Sequence, residues 1–174
     1  MSYEFIRPLE VADREKVARM VAAAWGAEVV VVHGVVYRPE TLPGFVAVDE
    51  RGEWLGLLTY QLAGGDCEIV TLESLAPGRG IGTQLIEAVK GVAVAAGCYR
   101  LWLITTNDNL NALAFYQKRG FRLCALYPGA VDRSRQIKPQ ISLLGYDNIP
   151  IHDEIELELI LTPAKEANAN EIYS

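Results

Sequence analysis

At 174 residues, 51% of them hydrophobic, the chain has enough material for one domain with a sizeable core. Its formal net charge of −6 and its lack of a Lys/Arg run argue against a nucleic-acid partner. No apolar run approaches the roughly 20 residues of a membrane helix, and residues 1–10 carry no signal-peptide core, so a cytoplasmic protein without a membrane partner is expected.

Residues 3–7 predict a first strand, broken by Pro8. Residues 13–25 place Val17, Met20, Val21 and Ala24 at helical spacing, and Gly26 stops that helix. Residues 29–36 are β-branched and interrupted by His33-Gly34, as a strand or a hairpin would be. Residues 45–49 and 54–62 predict a hairpin turning at 50–52, and residues 68–75 a third strand of the same meander. A helix follows over 82–96, with Leu85, Val89, Val92 and Ala96 inward and Gly97 as its stop.

Residues 100–106 are apolar enough for a buried central strand. A helix capped by Asn109 comes next, then a strand over 121–126. Residues 127–150 read as a loop excursion with a short helix at 132–137. Residues 154–161 form a last strand, with Glu154, Glu156 and Glu158 on the face away from its apolar side chains. A single domain over 1–162 and a polar tail over 163–174 are expected. Cys67, Cys98 and Cys124 are odd in number and lack CxxC spacing, so packed free thiols are expected, with no disulfide framework and no metal site.

Two stretches carry chemistry. The first is SLAPGRGIGT, Ser74 to Thr83, a strand end running into a glycine turn that opens a helix. Such a turn aims several backbone N–H groups into one place, where the helix N-terminus adds positive potential, and this suits a pyrophosphate. Taken alone, the run equally fits an ordinary tight strand-to-helix turn. The second is NLNALAFYQKRGF, Asn109 to Phe121, a helix bearing Tyr116 and stopped by Gly120. Taken alone, Tyr116 reads as a half-buried aromatic whose hydroxyl meets backbone or water.

Together the two stretches resemble the GNAT superfamily of acyl-CoA-dependent N-acyltransferases. The family's glycine turn matches at Gly80 and Gly82, with Pro77 at its usual Gln/Arg position and Arg79 placed to supply the positive charge. Its Asn-x-x-Ala, Tyr and Gly-Phe signature matches at Asn109, Ala112, Tyr116, Gly120 and Phe121. The resemblance covers residues 45–126.

It implies an α/β (α+β) fold, a mixed and mostly antiparallel sheet with a central splayed parallel strand pair, flanked by helices. It also implies acetyl transfer from acetyl-CoA to a primary amine by direct attack in a ternary complex. The cofactor contacts would be Leu75, Gly78, Arg79, Gly80, Ile81, Gly82, Thr83 and Asn109. Tyr116 would protonate the departing sulfur, and a strand N–H near Leu75 would meet the oxyanion. Glu73 is the candidate base, and it fits equally well as a surface glutamate on a half-exposed strand. Glu68 and the row Glu154, Glu156, Glu158 are expected to be solvated, one of the row being able to meet a cationic acceptor. His33 and His152 are expected to be structural. The acceptor is open between a small molecule and a peptide, and a homodimer fits the family's habit. A non-catalytic acyl-CoA-binding sensor or partner subunit is the competing reading.

Overall fold

The computed structural model describes residues 5–161, so the expected polar tail lies outside the described residues. In chain order the elements are β1 (Phe5–Pro8), α1 (Arg14–Trp25), β2 (Val30–Val32), β3 (Val35–Tyr37), β4 (Gly44–Val48), β5 (Trp54–Ala63), β6 (Asp66–Ser74), α2 (Ile81–Ala95), β7 (Arg100–Thr106), α3 (Leu110–Gln117), β8 (Arg122–Tyr127), α4 (Ala130–Ile137) and β9 (Glu154–Ile160). The strands other than β2 and β3 follow the order β1-β4-β5-β6-β7-β9-β8. The sheet is mixed, mostly antiparallel with one parallel pair, and helices flank it. The α2 crossover between β6 and β7 is the kind of connection a parallel pair needs.

The chain forms two compact units. Among the described residues the first contains 5–11, 42–102 and 160–161, and the second Ala12–Thr41 and Leu103–Leu159. In the first, β1, β4, β5 and β6 make an antiparallel meander. Pro8 does not break β1; it is the last residue of that strand, opposite Phe45. β1 ends the strand order, where a residue without an N–H is tolerated. The core here is built on Val46, Leu57, Leu58, Leu85, Val89 and Leu101. The buried stripe of α2 takes in Ile81, Ile86 and Ala93, while the expected Val92 is half-buried and Ala96 exposed.

In the second unit, residues 29–36 form a hairpin, β2 with β3. Its turn residues His33 and Gly34 have φ of 51° and 75°, the left-handed pair of a tight hairpin turn. Gly26 ends α1 in the left-handed region, its N–H donating to Ala22 O. The short helix of the excursion starts at Ala130, and just past its end the buried Lys138 donates from Nζ to Trp25 O and Val29 O at 2.9 Å each. Burial pushes the Lys138 pKa down, and two carbonyls satisfy an ammonium that water no longer reaches.

Candidate functional site

The first unit carries the glycine turn. β6 ends at Ser74, and Pro77, Gly78, Arg79 and Gly80 lie exposed before α2. Gly78 and Gly80 have φ of 79° and 75°, a conformation glycine adopts without steric penalty. Gly80 is the N-cap residue of α2, has no side chain to cap it, and accepts Gln84 N–H at 3.1 Å. The first turn holds no acidic residue. The N–H groups of Ile81 and Gly82 stand in the first turn, where an α-helix supplies no acceptor, and the helix dipole adds positive potential there. Thr83 is the third helical residue, so it does not cap α2.

A residue that sequence reasoning passed over positions this turn. A Cβ on Gly56 of β5 would lie 2.6 Å from Ile81 Cγ2, 2.8 Å from Glu73 O and 3.1 Å from Leu85 Cδ1. Gly56 thus lets the start of α2 pack directly on β5 beside Glu73. Glu73 itself pairs with Leu57 and is half-buried. Leu75 departs from expectation. Its side chain is 56% exposed, and its N–H donates to Leu55 O at 2.8 Å. That donor is committed to β5 and does not serve an oxyanion. Strand alternation turns the N–H groups of Leu72 and Ser74 to the other edge of β6.

Glu68 is buried rather than solvated, because Cys67 to Thr71 are covered on both faces of the strand. Thr59 and Thr71 share a buried hydroxyl hydrogen bond of 2.7 Å. Burial pushes the Cys67 thiol up to about 12 and raises Cys98 and Tyr60 as well, which makes these groups poor nucleophiles or bases at neutral pH. All three cysteines are free, and Cys124 is exposed rather than packed.

The second unit carries the tyrosine helix. Asn109 Oδ1 accepts Ala112 N–H at 3.1 Å, which explains the Asn-x-x-Ala spacing as a helix cap. At the other end Gly120 has φ of 90°, Gly120 N–H meets Gln117 O and Phe121 N–H meets Tyr116 O, each at 3.1 Å, a Schellman stop. Tyr116 is buried, its ring edge-on to Phe115 and Phe121 at 5.1 and 5.3 Å. The preceding Asp108 was not foreseen. It is 2% exposed, accepts from Thr106 Oγ1 and from Tyr146 N–H, and leaves no room for a side chain at Gly145.

The acidic row of β9 is corrected too. Glu154 and Glu156 are 3% and 8% exposed. The β2–β3 turn and Tyr127 engage that face of the strand. His33 N–H donates to Glu154 Oε1 at 3.0 Å, and Tyr127 O–H to Glu156 Oε2 at 2.6 Å. His152 is exposed, its Nδ1 3.1 Å from Asp132 Oδ2. Among the described residues no cluster of three or more His, Cys, Asp and Glu side chains could hold a metal ion, and no helix is long and apolar enough to cross a membrane.

The model of the acetyltransferase (GNAT) family matches residues 28–121, more than half of the chain. The chain belongs to that family. It is 46% identical over 134 residues to the uncharacterized protein YdhI of Bacillus subtilis (strain 168), covering 77% of this chain and 84% of that protein. Among solved structures it is similar in fold to the IAA acetyltransferase from Bacillus cereus ATCC 14579, with a TM-score of 0.66 at 19% identity over 91% of this chain and 100% of that one. A GNAT family acetyltransferase from Elizabethkingia anophelis, solved with acetyl-CoA bound, gives 0.64 at 19% identity over 91% of this chain and 98% of that one.

Proposed function

We propose that the protein transfers an acetyl group from acetyl-CoA to a primary amine. The observation that carries this reading is the open N-terminus of α2 behind Gly78 and Gly80, in a chain of the GNAT family. First-turn N–H donors with no capping side chain and no first-turn acid fit a pyrophosphate. Acetyl-CoA, when bound, supplies the activated acetyl thioester. The backbone of Ile81, Gly82 and Thr83 holds its phosphates, with Arg79 adding charge at the rim. An N–H on the side of β6 away from β5, from Leu72 or Ser74, takes the oxyanion role in place of Leu75.

The acceptor arrives as an ammonium with a pKa of about 10.4 and must lose a proton before it attacks. Glu73, half-buried at the end of β6, is the proposed base. Tyr116 is the proposed donor to the departing sulfur, so that the acyl C–S bond breaks as the C–N bond forms and CoA leaves as a thiol. The test is release of free CoA thiol across a panel of small amines and of peptides with free N-termini or lysines. Release that depends on one amine class supports the proposal. Acetyl-CoA binding with no acceptor-dependent release across the panel would favour a non-catalytic acyl-CoA-binding protein.

A further inference from the structure

In the second unit, two neighbouring buried carboxylates are treated differently. Glu154 and Glu156 share one face of β9. Glu156 is occupied on both oxygens, by Tyr127 O–H at 2.6 Å on Oε2 and by Cys124 S–H at 3.5 Å on Oε1. Glu154 is occupied on one only, where Oε1 accepts His33 N–H at 3.0 Å. Its Oε2 is buried and has no hydrogen-bond partner. The His33 Nδ1 stands 3.4 Å from that oxygen, within ion-pair range but outside hydrogen-bond geometry.

A buried carboxylate oxygen without a donor carries an uncompensated desolvation penalty, and most such groups in native proteins have a partner. What covers it is a ring at a hairpin tip. The His33 side chain is 49% exposed and lies edge-on to Tyr127 at 4.3 Å. Tyr127 is the residue directly opposite Glu154 in the β8–β9 register. The side chain facing Glu154 Oε2 is thus a histidine ring that makes no hydrogen bond to it. A Lys or Arg would have filled the site permanently.

We propose that Glu154 is an ammonium-binding carboxylate. A primary ammonium of a small molecule donates to Oε2 when the His33 ring moves aside, and the Tyr127 ring forms a wall against the cation. The proposal rests on the acyltransferase reading only in naming that ammonium as the acceptor.

The test is calorimetric binding of spermidine, tyramine and Nα-acetyl-lysinamide to the full chain, with uncharged tyrosol as the control for tyramine. At least one cation is expected to bind the wild type, and tyrosol not to bind. Glu154→Gln should weaken that cation at least tenfold while leaving the acetyl-CoA-induced rise in Tm unchanged. His33→Gly suits the left-handed turn and uncovers Oε2, so it should tighten binding severalfold. If Glu154→Gln does not fold, the His33→Gly result decides. Binding of Nα-acetyl-lysinamide alone would overturn the small-molecule assignment in favour of a protein lysine. No binding by any cation, equal binding by Glu154→Gln, or weaker binding by His33→Gly would overturn the proposal. Each of these results leaves the acyltransferase reading standing, and failure of the CoA-release assay would in turn leave ammonium binding intact.

Discussion

Tyr116 and Glu73 differ in how firmly their surroundings hold them. Tyr116 is clamped between Phe115 and Phe121, and its carbonyl takes the Phe121 N–H that closes α3. Tyr116→Phe keeps the ring and those contacts and removes only the hydroxyl. As a general acid the residue should contribute about 10²–10⁴ in rate. A thiol pKa of about 8.5 lets the sulfur leave partly unprotonated, which places the expected loss near the low end. Single-turnover rates should show it with acetyl-CoA affinity and Tm unchanged, and a rate equal to wild type would leave Tyr116 a packing residue. Glu73 is only half-buried. Glu73→Gln should lower turnover most at low pH, where the amine most needs a proton acceptor, with little change in acetyl-CoA affinity. A pH–rate profile parallel to wild type would exclude Glu73 as the base.

At the level of elements, the β6–α2 junction depends on glycines for two separate reasons. Gly80 needs its φ of 75°, but a Cβ there meets nothing within 4 Å. Gly80→Asn is the informative change, because Asn tolerates the left-handed region while placing bulk in front of the α2 N-terminus. It should fold and lose acetyl-CoA binding by an order of magnitude or more in a titration, and wild-type affinity would move the phosphates elsewhere. Gly56 has an ordinary conformation and no space. Its Cβ would meet a backbone oxygen of Glu73 at 2.8 Å, which cannot rotate away as a side chain can. Gly56→Ala should therefore lower stability by about 1–3 kcal/mol, as overpacking does, read as a lower urea midpoint. An unchanged midpoint would mean that β5, β6 and α2 separate more easily than their packing implies.

For the whole molecule, alkaline pH is the revealing stress. Burial holds the Cys67 thiol up to about 12 in the folded chain, against an ordinary 9.0, and Cys98 and Tyr60 are raised in the same direction by burial. The unfolded chain releases these protons first. The stability they contribute is therefore complete below pH 9 and is lost as pH climbs toward 12. Lys138, lowered by burial from 10.5, acts in the opposite sense and adds stability as pH rises to that value. Urea midpoints should fall between pH 9 and 11, and fall less steeply in Cys67→Ala. A flat profile in the wild type would mean that the unfolded thiols titrate as high as the folded ones. Features written in contiguous residues were legible in the sequence. The Asn109 cap, the Gly120 stop, the glycine turn and the order of strands and helices each follow from local backbone chemistry. Family membership followed because two such signals stand in a fixed order. Other features depended on partners far along the chain. Alternation put Glu154 and Glu156 on one face of a strand, but the β2–β3 hairpin, more than a hundred residues earlier, decided that the face would be covered. Leu75 stands at the C-terminal end of the strand or just past it in either account, but pairing with Leu55 decided which way its N–H was spent. Gly56 looked like any strand glycine until α2 packed against it. Local propensity is set by a residue and its nearest neighbours, whereas burial and hydrogen-bond partnership exist only between surfaces that folding brings together.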